Sequence, residues 1–186
     1  MRVRRPLSIA AGAAAVAAVV AGVSASGKST VGTLIADRLG WPSTDADSLH
    51  PAGNVAKMHA GLPLTDADRR PWMAAVSARI DGYLEAGQSA VLACSLLKRT
   101  YRDQLTADRP TVRIAFLDVS REVLAERLRA RHGHFFPATL LDSQLAALQP
   151  PQPSERLLVV METGQSPAVI ADEVMHRLQL LPSGER

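Results

Sequence analysis

The segment Gly22-Val23-Ser24-Ala25-Ser26-Gly27-Lys28-Ser29-Thr30 satisfies the pattern G-x-x-x-x-G-K-[ST], and its setting limits the folds open to the chain. A run of small and β-branched residues over 14–21 leads into it. Val31, Leu34, Ile35 and Leu39 follow it on one helical stripe closed by Gly40. The spacing predicts a buried parallel strand over 16–21, a glycine-rich turn, and a helix. In such a unit, successive backbone N–H groups and the positive end of the helix dipole converge on a phosphate. Lys28 would bridge β- and γ-phosphates, and the Ser29 hydroxyl would ligate Mg²⁺. A plain turn before a helix explains the two glycines, but not a Lys followed by Ser and Thr.

The same amino end has the outline of a secretory signal: Arg2, Arg4 and Arg5, an apolar run, and a small-residue Val23-Ser24-Ala25 end. Cleavage there would cut the phosphate motif, so the two readings exclude each other. We read the last part of the run as the strand, and residues 1–13 as a loose extension or the product of a start codon assigned too early. A single membrane anchor is the competing reading, and the run falls short of the ~20 clearly apolar residues that a span needs.

Downstream, strand-like runs at 90–94, 112–117 and 157–161, with a short one before Asp45, alternate with helical stripes. One stripe contains Trp72, Val76, Ile80 and Tyr83, another Val123, Leu124 and Leu128, and the last Ile170, Val174 and Leu178. This alternation predicts an α/β fold with a parallel sheet and a ligand beyond the carboxyl ends of its strands. With 186 residues, 47% of them hydrophobic, the chain has enough apolar surface for one sizeable core, which excludes a disordered chain. Its one cysteine, Cys94, excludes an internal disulfide framework and needs no redox role. Aromatics at 4% and a net charge of +3 without a basic block argue against a nucleic-acid surface. The positive charge is carried by 18 Arg and only three Lys, at positions 28, 57 and 98. A compact ammonium kept among so many guanidinium groups suggests a site where a planar fork would not fit, with chance survival the other reading of Lys57 and Lys98.

The second strand ends in Thr44-Asp45-Ala46-Asp47-Ser48-Leu49-His50. Read as extended, this segment points both carboxylates to one side, so that one orients a hydrated Mg²⁺ and the other faces an acceptor hydroxyl. Turn and cap chemistry alone is the other reading of Asp45, Asp47 and Ser48. Thr65-Asp66-Ala67-Asp68 has the form of a helix capping box, and Trp72 and Met58 read as core. His132 and His134 lack the Cys or acidic company of a metal site.

Beyond these motifs, the string Asp45-Ala46-Asp47-Ser48-Leu49-His50-Pro51, then Asn54, Lys57, Met58 and Gly61, then Pro63 through Trp72, closely resembles the P-loop gluconokinases. The segments 93–103 (ACSLLKRTYRD), 127–136 (RLRARHGHFF) and 140–144 (LLDSQ) extend that resemblance across about residues 16–178. It implies an ATP-dependent kinase making 6-phosphogluconate from D-gluconate, with Mg²⁺. The implied fold is the three-layer α/β/α P-loop kinase fold, close to nucleoside monophosphate kinases and shikimate kinases. It has a five-stranded parallel sheet, substrate-binding helices at about 48–86 and a lid at about 127–140, all within one domain over 14–186.

By the same resemblance, Gly22, Val23, Ser24, Ala25, Ser26, Gly27, Lys28, Ser29 and Thr30 bind ATP. Ser29 and Asp45 serve the metal, Asp45 through water. Asp47 takes the proton of the acceptor hydroxyl. Arg69 offers a bidentate fork to the gluconate carboxylate, and His50, Lys98 and Gln144 reach sugar hydroxyls. Arg127 and Arg131 approach the transferring phosphoryl as the lid closes. The implied protein is cytoplasmic, with no nucleic-acid or membrane partner, and a homodimer is left open. Ala25, Leu96, Gln149 and Met161 depart from the family pattern: a glycine, a small residue and two acidic residues are usual there. A shikimate-type polyol kinase, an inactive nucleotide-binding protein and an exported protein are the competing functions.

Overall fold

In a computed structural model of the chain, which describes residues 14–130, 138–161 and 164–181, the run ahead of the glycine-rich loop forms β1 (Ala17–Ala21), every residue of it buried. Continuous burial follows from its place in the sheet. β1 pairs with β3 (Ala90–Cys94) on one edge and β4 (Val112–Asp118) on the other, while β2 (Ser43–Asp45) and β5 (Leu157–Met161) close the order β2-β3-β1-β4-β5. All four pairings are parallel. The five expected strands are thus present, β1 starting one residue later and β4 ending one residue further on than the sequence pattern predicts.

Alternation along the strands divides the core into two layers. Ala18 and Val20 face one side of β1 and join Val31 and Ile35 of α1 (Lys28–Leu39), Leu124 of α5 (Arg121–Ala130) and Ile170 and Val174 of α7 (Pro167–Arg177). Ala17, Val19 and Ala21 face the other side with Trp72, Met73, Val76 and Ile80 of α3 (Asp66–Glu85) and Leu105 of α4 (Arg99–Thr106). Each buried Val, Leu or Ile contributes ~1.5–3 kcal/mol by leaving water, so two such layers hold the sheet without a cross-link. Helices therefore cover both faces, as the α/β/α reading expects, and no helix among the described residues is long and apolar enough to cross a membrane.

Local chemistry sets the helix ends. Gly40 ends α1 in the left-handed region at φ 65, its N–H donating to Ala36 O. Thr65 starts α3 with the expected capping box: its hydroxyl accepts from Asp68 N–H, and Asp68 accepts from Thr65 N–H. Two further α-helices are α2 (Ala52–His59) and α6 (Ala138–Ala147).

One local expectation is corrected. The Asp45–Asp47 segment is not extended: β2 stops at Asp45, and Ala46–Leu49 forms a 3₁₀ turn. Asp45 causes this, because its Oδ1 accepts the Asp47 N–H at 3.0 Å and caps the turn. Side-chain parity along a strand does not apply across that junction.

Candidate active site

The glycine-rich loop joins β1 to α1 through backbone that only particular residues adopt easily. Gly22 has φ 149, and a Cβ placed there would lie 2.5 Å from Ser26 Oγ and 3.0 Å from Leu117 O, so no larger residue fits. Ala25 sits in the left-handed region at φ 67, at a cost of about 1–2 kcal/mol that glycine would avoid. Behind the loop, the Lys28 side chain is carried at the first position of α1 and is only 6% exposed. The other two lysines have carboxylate partners, Lys57 with Asp68 and Lys98 with Asp66, whereas Lys28 forms no ion pair among the described residues. A buried ammonium without a counter-charge is costly. Ser26 Oγ is likewise buried, with no hydrogen-bond partner among the described residues. Cation, orphaned hydroxyl and helix amino terminus together suit a phosphate group.

Ser29, next in the chain, donates its hydroxyl to Asp45 Oδ2 at 2.7 Å. A hydroxyl beside a carboxylate is a donor set that fits a magnesium ion keeping several of its waters. The capped turn then sends Asp47 elsewhere. Asp47 lines a cavity of about 620 Å³ together with Ser24, His50 and Arg69. That volume suits a small organic ligand. Asp45 is absent from its walls, so the two carboxylates serve different sides of the site.

Trp72 keeps this turn in place. Its Nε1–H donates to Ala46 O at 2.7 Å, and its ring stacks on His50 with centroids 4.6 Å apart and planes 9° from parallel. Asn54, buried in α2, donates its amide N–H to Asp68 O at 2.8 Å and lies 3.3 Å from His50 Nδ1. Burial lowers the pKa of His50, opposed by the Asp47 carboxylate and assisted by Arg69, so a neutral imidazole faces the cavity at neutral pH. Burial pushes the Cys94 thiol up to about 12, in keeping with no redox role.

A family model described as an AAA domain matches residues 18–151. The gluconokinase of Gluconobacter oxydans (strain 621H) is 47% identical over 162 residues, which cover 87% of this chain and 90% of that protein. The chain belongs to the gluconokinase family. The crystal structure of a gluconokinase from Sinorhizobium meliloti 1021 superposes with a TM-score of 0.79 at 42% identity, covering 90% of this chain and 93% of that one. A shikimate kinase from Bacteroides thetaiotaomicron shares the fold at a TM-score of 0.62 and 17% identity.

In this gluconokinase-family site, Asp47, His50, Arg69 and Gln144 all line the cavity. Gln144, on α6, uses both ends of its amide on the phosphate loop: Ser24 N–H donates to Oε1 and Nε2 donates to Ser24 Oγ, each at 2.9 Å. Lys98 is not on the wall; both oxygens of Asp66 accept from its Nζ at 2.7 Å, and Tyr101 donates to the same carboxylate. Those contacts hold the Asp66 pKa below its ordinary value. Arg127 reaches the phosphate loop, its Nη1 lying 3.5 Å from Ser26 O. Arg131 lies outside the described residues, as does half of the expected lid.

Other residues carry more of the site than the sequence suggests. Met58, read as core, is half-buried and lines the cavity. Leu96 lines it too, fully buried and at a positive φ of 41. Arg102 and Glu155 form an ion pair with both side chains 2% exposed, and no pattern in the sequence marks it. Arg102 falls three residues before the buried Leu105 on α4, and a charged residue on an apolar face is the only available signal.

Proposed function

We propose that this chain is a gluconokinase, transferring the γ-phosphoryl group of ATP to the 6-hydroxyl of D-gluconate. The observation that carries the proposal is the placement of Asp47 on a ligand-sized cavity that also touches Ser24 of the phosphate loop. Family membership at 47% identity supports the choice of acceptor.

In this reading, backbone N–H groups of residues 22–30 hold the phosphates, and Lys28 lies against the β- and γ-phosphate oxygens. Ser29 and Asp45 would hold Mg²⁺, Asp45 through water. When bound, Mg²⁺ neutralises phosphate charge and aligns the terminal group. Asp47 accepts the proton of the 6-hydroxyl as that oxygen bonds to phosphorus and the bond to the ADP oxygen breaks. Arg69 pairs with the gluconate carboxylate, and neutral His50 offers a hydrogen bond to a sugar hydroxyl. Arg127 and Arg131 stabilise charge on the transferring group.

We read residues 14–186 as one kinase domain with its acceptor region at about 48–86 and its lid at about 127–140. The burial of β1 as the central strand supports a cytoplasmic protein. ADP release measured with MgATP and D-gluconate tests the function.

A further inference from the structure

Ser95, Leu96 and Leu97 follow β3 and form one wall of the cavity. Leu96 is fully buried with φ 41, a conformation rare for a residue with a side chain. Its surroundings must hold it there. Arg102, on α4, donates from Nη1 to Leu96 O at 3.1 Å and to Leu97 O at 3.2 Å. Glu155 fixes the guanidinium, accepting from Nε at 2.6 Å and from Nη2 at 2.9 Å, and it is itself tied to Gln152 N–H at 2.9 Å. A second tie comes from Gln149, whose N–H donates to Leu97 O at 2.9 Å while its side chain accepts from Arg99 N–H at 2.8 Å.

An ion pair this deeply buried is costly to desolvate, and well-packed apolar residues would anchor α4 to the β5 loop at least as well. What apolar residues cannot do is fix the direction of two carbonyls. We propose that Arg102 is a positioning residue for the phosphoryl acceptor: oriented by Glu155, it holds Leu96 in the left-handed turn that shapes the 95–97 wall of the cavity. The proposal rests on reading that cavity as the acceptor site.

The test is steady-state kinetics on the full chain carrying Arg102→Met together with Glu155→Leu, which removes both charges and leaves neither buried alone. A folded double variant should show a KM for D-gluconate raised about tenfold or more, with the KM for ATP changed less than about twofold. Arg102→Lys keeps the charge but loses the fork that reaches Glu155 and both carbonyls. It should give a smaller rise of the same kind, and it decides the matter if the double variant does not fold. Unchanged gluconate KM, or equal rises for both substrates, overturns the proposal. A wild-type chain inactive on gluconate overturns the functional reading and this proposal with it. An active wild type with an indifferent variant overturns this proposal alone.

Discussion

Ser29 at the start of α1 donates its hydroxyl to Asp45 at the end of β2, at 2.7 Å, and so ties the phosphate loop to the acidic turn. The same carboxylate caps that turn through Asp47 N–H. Asp45→Asn should therefore keep the turn while weakening the metal side. An outer-sphere partner of a metal is worth ~10–100-fold in affinity. The expected result is a Mg²⁺ concentration for half-maximal rate raised by about that factor, read from a Mg²⁺ titration at saturating substrates.

Asp47 is on the cavity wall and Asp45 is not, so the two carboxylates should separate kinetically. Asp47→Asn can hold the acceptor but cannot take its proton. It should lower kcat by ~10²–10⁴-fold with the KM for ATP nearly unchanged. Arg69→Ala should act mainly on the KM for gluconate, by ~10–100-fold if a charge-assisted hydrogen bond worth about 1.5–3 kcal/mol is lost.

Gln144 clamps Ser24 with two hydrogen bonds at 2.9 Å. At a net ~1 kcal/mol per bond, Gln144→Ala should raise the KM for ATP by up to about 30-fold, and more than it raises the KM for gluconate. The reverse order would return Gln144 to the acceptor side.

Much of the sheet was legible because central parallel strands are buried on both faces and read as continuous apolar runs. β1 and β3 are examples, and the capping box at Thr65 was legible from its own residue pattern. The geometry of Asp45 and Asp47 was not legible, because a two-residue parity argument assumes extended backbone and here a side chain caps a 3₁₀ turn. Gln144 bonds a residue 120 positions away, and Arg102 pairs with Glu155 across 53. Such pairings belong to the packed fold and leave no local periodicity.

The start of α3 should respond to acid. Lys57 first, then the N–H and hydroxyl of Thr65, hold the Asp68 carboxyl at about 2, below its ordinary 3.8. A depressed carboxyl stabilises the fold above its unfolded pKa, and that contribution is lost as pH falls from about 4 through about 2. Lys57→Met should lower the urea midpoint at pH 7 relative to wild type, and the gap should narrow as pH falls through 4 to 3. A gap independent of pH would mean that Lys57 acts through its packing.

We assign phosphoryl transfer from ATP to gluconate to the Lys28–Asp47 site. A coupled spectrophotometric assay with MgATP and a panel of D-gluconate, shikimate and glucose tests it most directly, run on wild type and on folded Lys28→Ala. Wild type should turn over gluconate well ahead of the other two. Lys28→Ala should lose activity by on the order of a thousandfold, the scale of one lost group that stabilises transition-state charge. Transfer to shikimate or glucose at the expense of gluconate, or near-normal turnover without Lys28, would contradict the account.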